Sequence, residues 1–198
     1  MTQMTETVLT EGRRRMSRVE RREQLLDAAR ELIRSEGADS LTLARIADRA
    51  GVTKPLVYQH FGTKAAVLAE LYRGFKVRTH EALDTALAET PSNLNQVSRV
   101  IADAYIDCID AESTEIPGVG GALSGSAESE RIREEADRAF SARCRTALER
   151  FTSEGTVPDA ALYAILGAAE GIARALVLGR IPFEDGRETL AKVVAGVV

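Results

Sequence analysis

The chain has two cysteines, Cys108 and Cys144, too far apart in sequence for any metal-ligand spacing. They read as small buried apolar side chains of a protein in a reducing compartment. Histidine is equally scarce. His60 and His80 stand near no nucleophile, and no glycine loop of the phosphate-cradling kind appears. That argues against an enzyme and leaves no catalytic residue, metal ligand or cofactor to name. No apolar run approaches the roughly 18 residues of a membrane-spanning helix. The opening MTQMTETVLTEGRRRMSR lacks the apolar core of a secretory leader, so a cytoplasmic protein with no membrane partner is expected. Glycine and proline, at 15 and 5 of 198 residues, are too few for a largely disordered chain. No stretch alternates in the manner of a strand, and no repeat is visible.

What is present is charge asymmetry and helical periodicity. From Glu11 to Lys64 the chain carries 12 Lys and Arg against 8 Asp and Glu, although the whole protein has a formal net charge of −4. A basic head on an acidic body suits a protein whose first third meets phosphate, with ordinary surface asymmetry as the plainer alternative. Residues 1–17 read as a flexible basic arm. Leu25, Leu26, Ala29, Leu32 and Ile33 then line one face of a helix over about 18–35, which Gly37 ends.

The stretch from Leu41 to Lys64, LTLARIADRAGVTKPLVYQHFGTK, is the most informative. Thr42 is placed to cap a helix carrying Leu43, Ile46, Ala47 and Ala50, and Gly51 can take the positive φ where that helix stops. Thr53 is placed to cap the next, with Pro55 in its first turn. Helix, glycine turn and short helix form a helix-turn-helix, whose second helix is expected to enter a DNA major groove. Leu41, Ile46, Ala47, Val52, Val57 and Phe61 are its expected core. A long helix follows from Lys64 to about Glu89 with no linker between. Further helices are expected over about 92–111, 127–153, 159–178 and 183–197. Residues 113–126 read as a Gly- and Ser-rich loop with one short helical turn around 119–123.

The block from Arg22 to Tyr72 resembles the DNA-binding head of TetR-family transcriptional regulators. The likeness is carried by LLDAARELIRSEG, LTLARIADRAGV, KPLVYQHFGTK and AVLAELY. The sequence departs from the family at Leu43 and Ala44, where many members have a hydroxyl or basic residue. The resemblance implies an all-α protein of about nine helices. A three-helix head over 18–64 would be fused to a ligand-binding and dimerisation domain over 65–198. It implies DNA contacts from Thr42, Arg45, Thr53, Lys54, Pro55, Leu56, Tyr58, Gln59, His60 and Lys64. Of these, Lys54 can donate to guanine or phosphate and Gln59 can pair with adenine. Pro55 and Leu56 offer apolar surface to a thymine methyl. Tyr58, His60 and Lys64 can donate to phosphate.

The resemblance also implies a homodimer through about residues 159–197, reading a palindromic operator on double-stranded DNA. The 159–178 helix has an apolar stripe of Leu162, Ile165, Leu166, Ala169, Ala173, Leu176 and Val177. Its other side is small, with Ala164, Gly167, Ala168, Gly171 and Ala175. One of these faces is expected inside and the other against a partner. A small-molecule effector would sit among the middle helices. Tyr72, Phe75, Tyr105, Cys108, Phe140, Tyr163 and Glu170 are the candidate contacts, each with a plain core role as the alternative. If Glu170 or Asp107 faces that pocket, a cationic ligand fits; otherwise an apolar one does. The function read from this is a ligand-responsive transcriptional regulator, a repressor by first preference. The alternatives are an all-α interaction module without DNA binding and, behind it, a helical enzyme.

Overall fold

The computed structural model describes residues 16–90 and 93–198, so the basic arm expected over 1–17 lies outside the described residues but for Met16 and Ser17. Ser17 begins the first helix, α1 (Arg18–Glu36), through a capping box: its hydroxyl accepts from the Glu20 N–H while the Glu20 carboxylate accepts from its own N–H. A single 3-10 turn at Ala38–Ser40 leads to α2 (Leu43–Ala50). The Thr42 hydroxyl accepts from the Arg45 N–H, and Gly51 closes α2 in the left-handed region at φ 66°, ψ 36°. A side chain there would be strained, which is why the turn carries glycine.

Helix α3 (Lys54–Phe61) differs from expectation at its start. Thr53 occupies the cap position, but its hydroxyl accepts no hydrogen bond from the helix. Pro55 fixes the first turn instead, since its ring presets φ and removes one orphan N–H. Gly62, at φ 72°, then turns the chain directly into α4 (Lys64–Glu89), which Thr63 caps by accepting from the Ala66 N–H.

The body contains α5 (Leu94–Glu115), α6 (Val119–Leu123), α7 (Ala127–Leu148), α8 (Asp159–Val177) and α9 (Phe183–Gly196), with one 3-10 turn at Glu149–Phe151. The all-α expectation is met, with nine α-helices and no strand among the described residues. Helix α5 runs past its expected end near Ala111. Its last turn contains Ser113 and Thr114, both usually turn-formers, whose hydroxyls donate back to the Asp110 carbonyl and leave the helix intact.

Two apolar clusters organise the molecule. One joins the inner faces of α1, α2 and α3 to Val67, Leu68, Leu71 and Phe75 of α4, and adds Ile116, Val119, Leu123 and Ile132 from the body. The other gathers Leu83 of α4 with the inner faces of α5, α7, α8 and α9. Helix α4 therefore belongs to both, and its first half completes the core that the small head lacks.

A polar latch fixes the same junction. The Arg22 Nε donates to the Glu70 carboxylate at 2.7 Å, and its terminal nitrogens donate to the same carboxylate and to the His60 carbonyl. Its guanidinium also lies 4.4 Å from the centre of the Phe61 ring. One side chain thus ties α1 to the end of α3 and to α4. Arg22→Met is expected to lower stability by about 2 kcal/mol, the scale of losing charge-assisted bonds at a half-exposed site. Urea unfolding of Arg22→Met and Arg22→Met/Glu70→Gln measures it, and a single variant as stable as the wild type would remove the latch.

Helix α8 shows which of its faces is inside. Leu162, Ile165, Ala169 and Leu176 are buried against α5, α7 and α9. Buried Gly186 lets α9 approach closely, because a Cβ there would stand 3.1 Å from Ile172 Cγ2. The opposite face exposes Tyr163, Ala164, Gly167 and Gly171, and Val177 lies there too at 75% exposure, not on the inner stripe where its sequence position put it. This helix also corrects the expectation about apolar runs: by length and composition α8 is long and apolar enough to cross a membrane. Only 22% of that window is buried within the chain.

Candidate nucleic-acid interface and body cavity

Helix α3 sorts its residues by spacing. Val57 and Phe61, one turn apart, are buried in the head core. Lys54, Pro55, Tyr58 and Gln59 are exposed, with Tyr58 at 54%, and Leu56 is half-buried. A row of base-reading and phosphate-binding side chains is thereby turned to solvent.

Much of the head's positive charge is already matched. Arg45 donates to the Glu36 carboxylate and, at 3.2 Å, to the Ser40 carbonyl, so a phosphate contact from it must displace Glu36. Arg49 pairs with Glu31 at 3.3 Å. Lys54 and Lys64 have no carboxylate partner among the described residues. Lys64 Nζ donates instead to the Asp39 carbonyl at 2.9 Å, holding its charge at the exposed start of α4. Thr42 and Thr53 are exposed beside this surface. Leu43, at the position where the family often has a polar residue, is buried in the head core.

His60 is half-buried at the end of α3. Burial, with the charges of Arg22, Arg18 and Arg21, pushes its pKa below the ordinary value, so the ring is neutral at pH 7. Its Nδ1 is buried without a partner among the described residues. A bare lone pair there costs less than an unpartnered N–H, which leaves the proton on Nε2.

The body holds a cavity of about 300 Å³, half open to solvent, between α4, α5, α7 and α8. Of the residues expected at such a site, Tyr72, Tyr105, Cys108, Phe140 and Glu170 line it. Two do not. Phe75 is turned into the head-side core, and Tyr163 stands 74% exposed on the outer face of α8. Asp107 faces away as well and pairs with Arg187. Sequence reading passed over Lys76, His80, Arg133, Asp137 and Arg174 on the same wall. The signal was available for two of them, since Tyr72, Lys76 and His80 follow at successive steps of four along one face of α4.

The ionisable groups divide the cavity into two ends. At one, Lys76 Nζ is 3.0 Å from the Glu112 carboxylate, 3.6 Å from Cys108 Sγ and 5.0 Å from the Tyr72 ring centre. Burial works against its charge, but Cys108, Glu112 and Tyr72 outweigh it and hold Lys76 protonated. At the other end stand Asp137 and Glu170. Burial first, and Glu170 second, pushes the Asp137 carboxyl above its usual range. Burial likewise raises Tyr105, whose ring lies 5.1 Å from that of Phe140. His80 is pushed down by burial and by Arg143 and Lys76. Of the two thiols, Cys144 is buried, and burial drives it up to about 12, while Cys108 opens onto the cavity.

A helix-turn-helix with an exposed, part-basic second helix, built onto an all-α body with its own cavity, defines a DNA-binding regulator. The family model for bacterial regulatory proteins of the tetR family matches residues 25–71, which makes the head similar to the DNA-binding heads of those transcriptional regulators. Over 168 residues it is 27% identical to the nucleoid occlusion factor SlmA of Vibrio cholerae, covering 83% of this chain and 81% of that one. Two solved structures share the fold. FadR from Bacillus subtilis, in complex with stearoyl-CoA, superposes with a TM-score of 0.68 at 15% identity, over 89% of this chain and 98% of that one. The multidrug binding protein EbrR, complexed with ethidium, also gives 0.68, at 19% identity, over 89% and 99%.

Proposed function

We propose that the protein is a homodimeric repressor that binds a palindromic operator and is released by a small molecule. The observation that carries this reading is the shared use of α4. Its first turns are built into the head core and latched by Arg22, and its middle turns form a wall of the cavity. A ligand that shifts α4 therefore shifts the head, and in a dimer it changes the distance between two heads. Half-sites on one face of B-DNA lie about 34–36 Å apart, so that distance decides operator binding. Effector and operator would each favour a different spacing and weaken one another by the same factor. The dimer would form through the small-residue outer face of α8 together with α9, a use that also fits an apolar helix so little buried in one chain. Such a protein works in the cytoplasm, where its DNA is.

The reading assigns base contacts to Lys54, Pro55, Leu56 and Gln59, and phosphate contacts to Thr42, Thr53, Tyr58, His60 and Lys64. Arg45 would join them only after leaving Glu36. Binding to DNA from the protein's own promoter is expected to be specific and steeply salt-dependent. Tyr58→Ala should weaken it roughly ten- to a hundredfold, as two symmetry-related phosphate contacts are lost. Lys64→Ala should reduce the salt slope by about 1 for each head. Indifference of the wild type to DNA at low salt would overturn the reading, and would favour an interaction module. A second reading, a nucleoid occlusion factor, draws on the relative of that name, whose likeness spans head and body alike. Binding at many chromosomal sites without any transcriptional response would select it.

A further inference from the structure

If the cavity is the effector site, as the proposed function holds, its walls state which charge it takes. Two basic groups on the cavity wall already have partners: Lys76 pairs with Glu112, and the exposed Arg133 pairs with Glu130 on its own helix while acting more weakly on Asp137 and Glu170. Asp137 and Glu170 have no ion pair or hydrogen bond among the described residues. They come from different helices, α7 and α8, yet both border the cavity and are close enough for Glu170 to act on Asp137. Arg174 is also unpaired, but it is exposed on α8 at the rim. Asp137, half withdrawn from water and without an ion-pair partner, is costly when charged and becomes favourable when a cation enters beside it, and Glu170, exposed at the rim, adds a second carboxylate. The neighbouring surface is aromatic, made by Tyr105 and Phe140 with their rings tilted at 59°. Tyr72 is less available, since Lys76 already lies over its ring.

We propose that the effector is an organic cation whose positive centre sits between Asp137 and Glu170 and whose apolar body packs on Tyr105 and Phe140. Carboxylate pairing and ring-face attraction act together on such a ligand, while Glu112 prevents Lys76 from repelling it. A volume of about 300 Å³ suits one compact ring system or a short alkylammonium better than a long acyl chain.

The test uses the full-length protein and two probes of opposite charge, phenyltrimethylammonium and laurate, with binding followed by calorimetry and operator release by fluorescence anisotropy. The cation is expected to bind and to release DNA. Asp137→Asn and Glu170→Gln should each weaken it roughly tenfold, the scale of one charge-assisted contact. Both substitutions are near-isosteric and remove unmatched charge, so their melting temperatures should not fall. Laurate binding that displaces DNA, with the cation inert, would overturn the charge assignment while leaving the cavity as the effector site. Binding of the cation unchanged in both variants would overturn it as well. Release of DNA by the cation that survives plugging the cavity with Ala136→Trp would instead overturn the cavity reading itself.

Discussion

Gly171→Glu is expected to leave the chain folded, convert the proposed dimer to monomers and weaken palindromic DNA binding by about 10²–10⁴-fold, the advantage of holding two heads on one scaffold. Gly171 lies on the outer face of α8, and a Cβ built there meets nothing within 4 Å of its own chain. Gly167, one turn earlier, is equally open. Within a single chain these glycines only cost stability, about 1 kcal/mol each relative to alanine in a helix interior. Their presence one turn apart on an exposed face is explained when a partner backbone must come close. Across a two-fold axis the same surface meets itself, so one new carboxylate becomes two, facing each other in an apolar contact. Sedimentation equilibrium gives the mass, circular dichroism the fold, and a titration with operator the affinity. A Gly171→Glu protein that remains dimeric and binds as tightly as the wild type would exclude this face from the interface.

The second large effect is placed at the junction of head and body. Phe75 is 1% exposed and sits on α4 where the head-side core meets α5. Its ring is flanked by charges from its own helix: Lys76 Nζ is 5.5 Å and the Arg78 guanidinium 5.9 Å from its centre. Phe75→Ala removes a whole ring from a packed site and is expected to cost about 3–5 kcal/mol. That is a large share of the 5–15 kcal/mol typical of a domain, and it should lower the melting temperature by roughly 10 °C. Phe75→Leu, which keeps most of the volume, should recover the greater part. A melting temperature within about 2 °C of wild type for Phe75→Ala would mean that the junction is not packed as described.

The head was legible because its signals are local. The Thr42 cap, the left-handed Gly51, the proline in the first turn of α3 and the spacing of Val57 and Phe61 all act within one or two turns. The long α4 and its direct join to the head were equally visible, and even the short α6 could be placed. The errors fall where a neighbour from elsewhere in the chain decides. Arg45 looked free for phosphate, but Glu36, nine residues earlier, folds back onto it. Tyr163 looked like a pocket aromatic, but α8 packs Leu162 and Ile165 into the core and leaves Tyr163 facing outward. Nothing in the sequence singled out Lys76 or Asp137, and four helices converging around them made them cavity wall.

By itself the sequence determined an all-α chain, the order of its helices, the helix-turn-helix and the acidic body, because periodicity, caps and glycine turns act between near neighbours. Only the tertiary structure decided which face of α8 is covered, which cations are spent on ion pairs and which carboxylates stand unmatched in a cavity. Those are properties of residues far apart in sequence, and they exist only once packing brings the helices together.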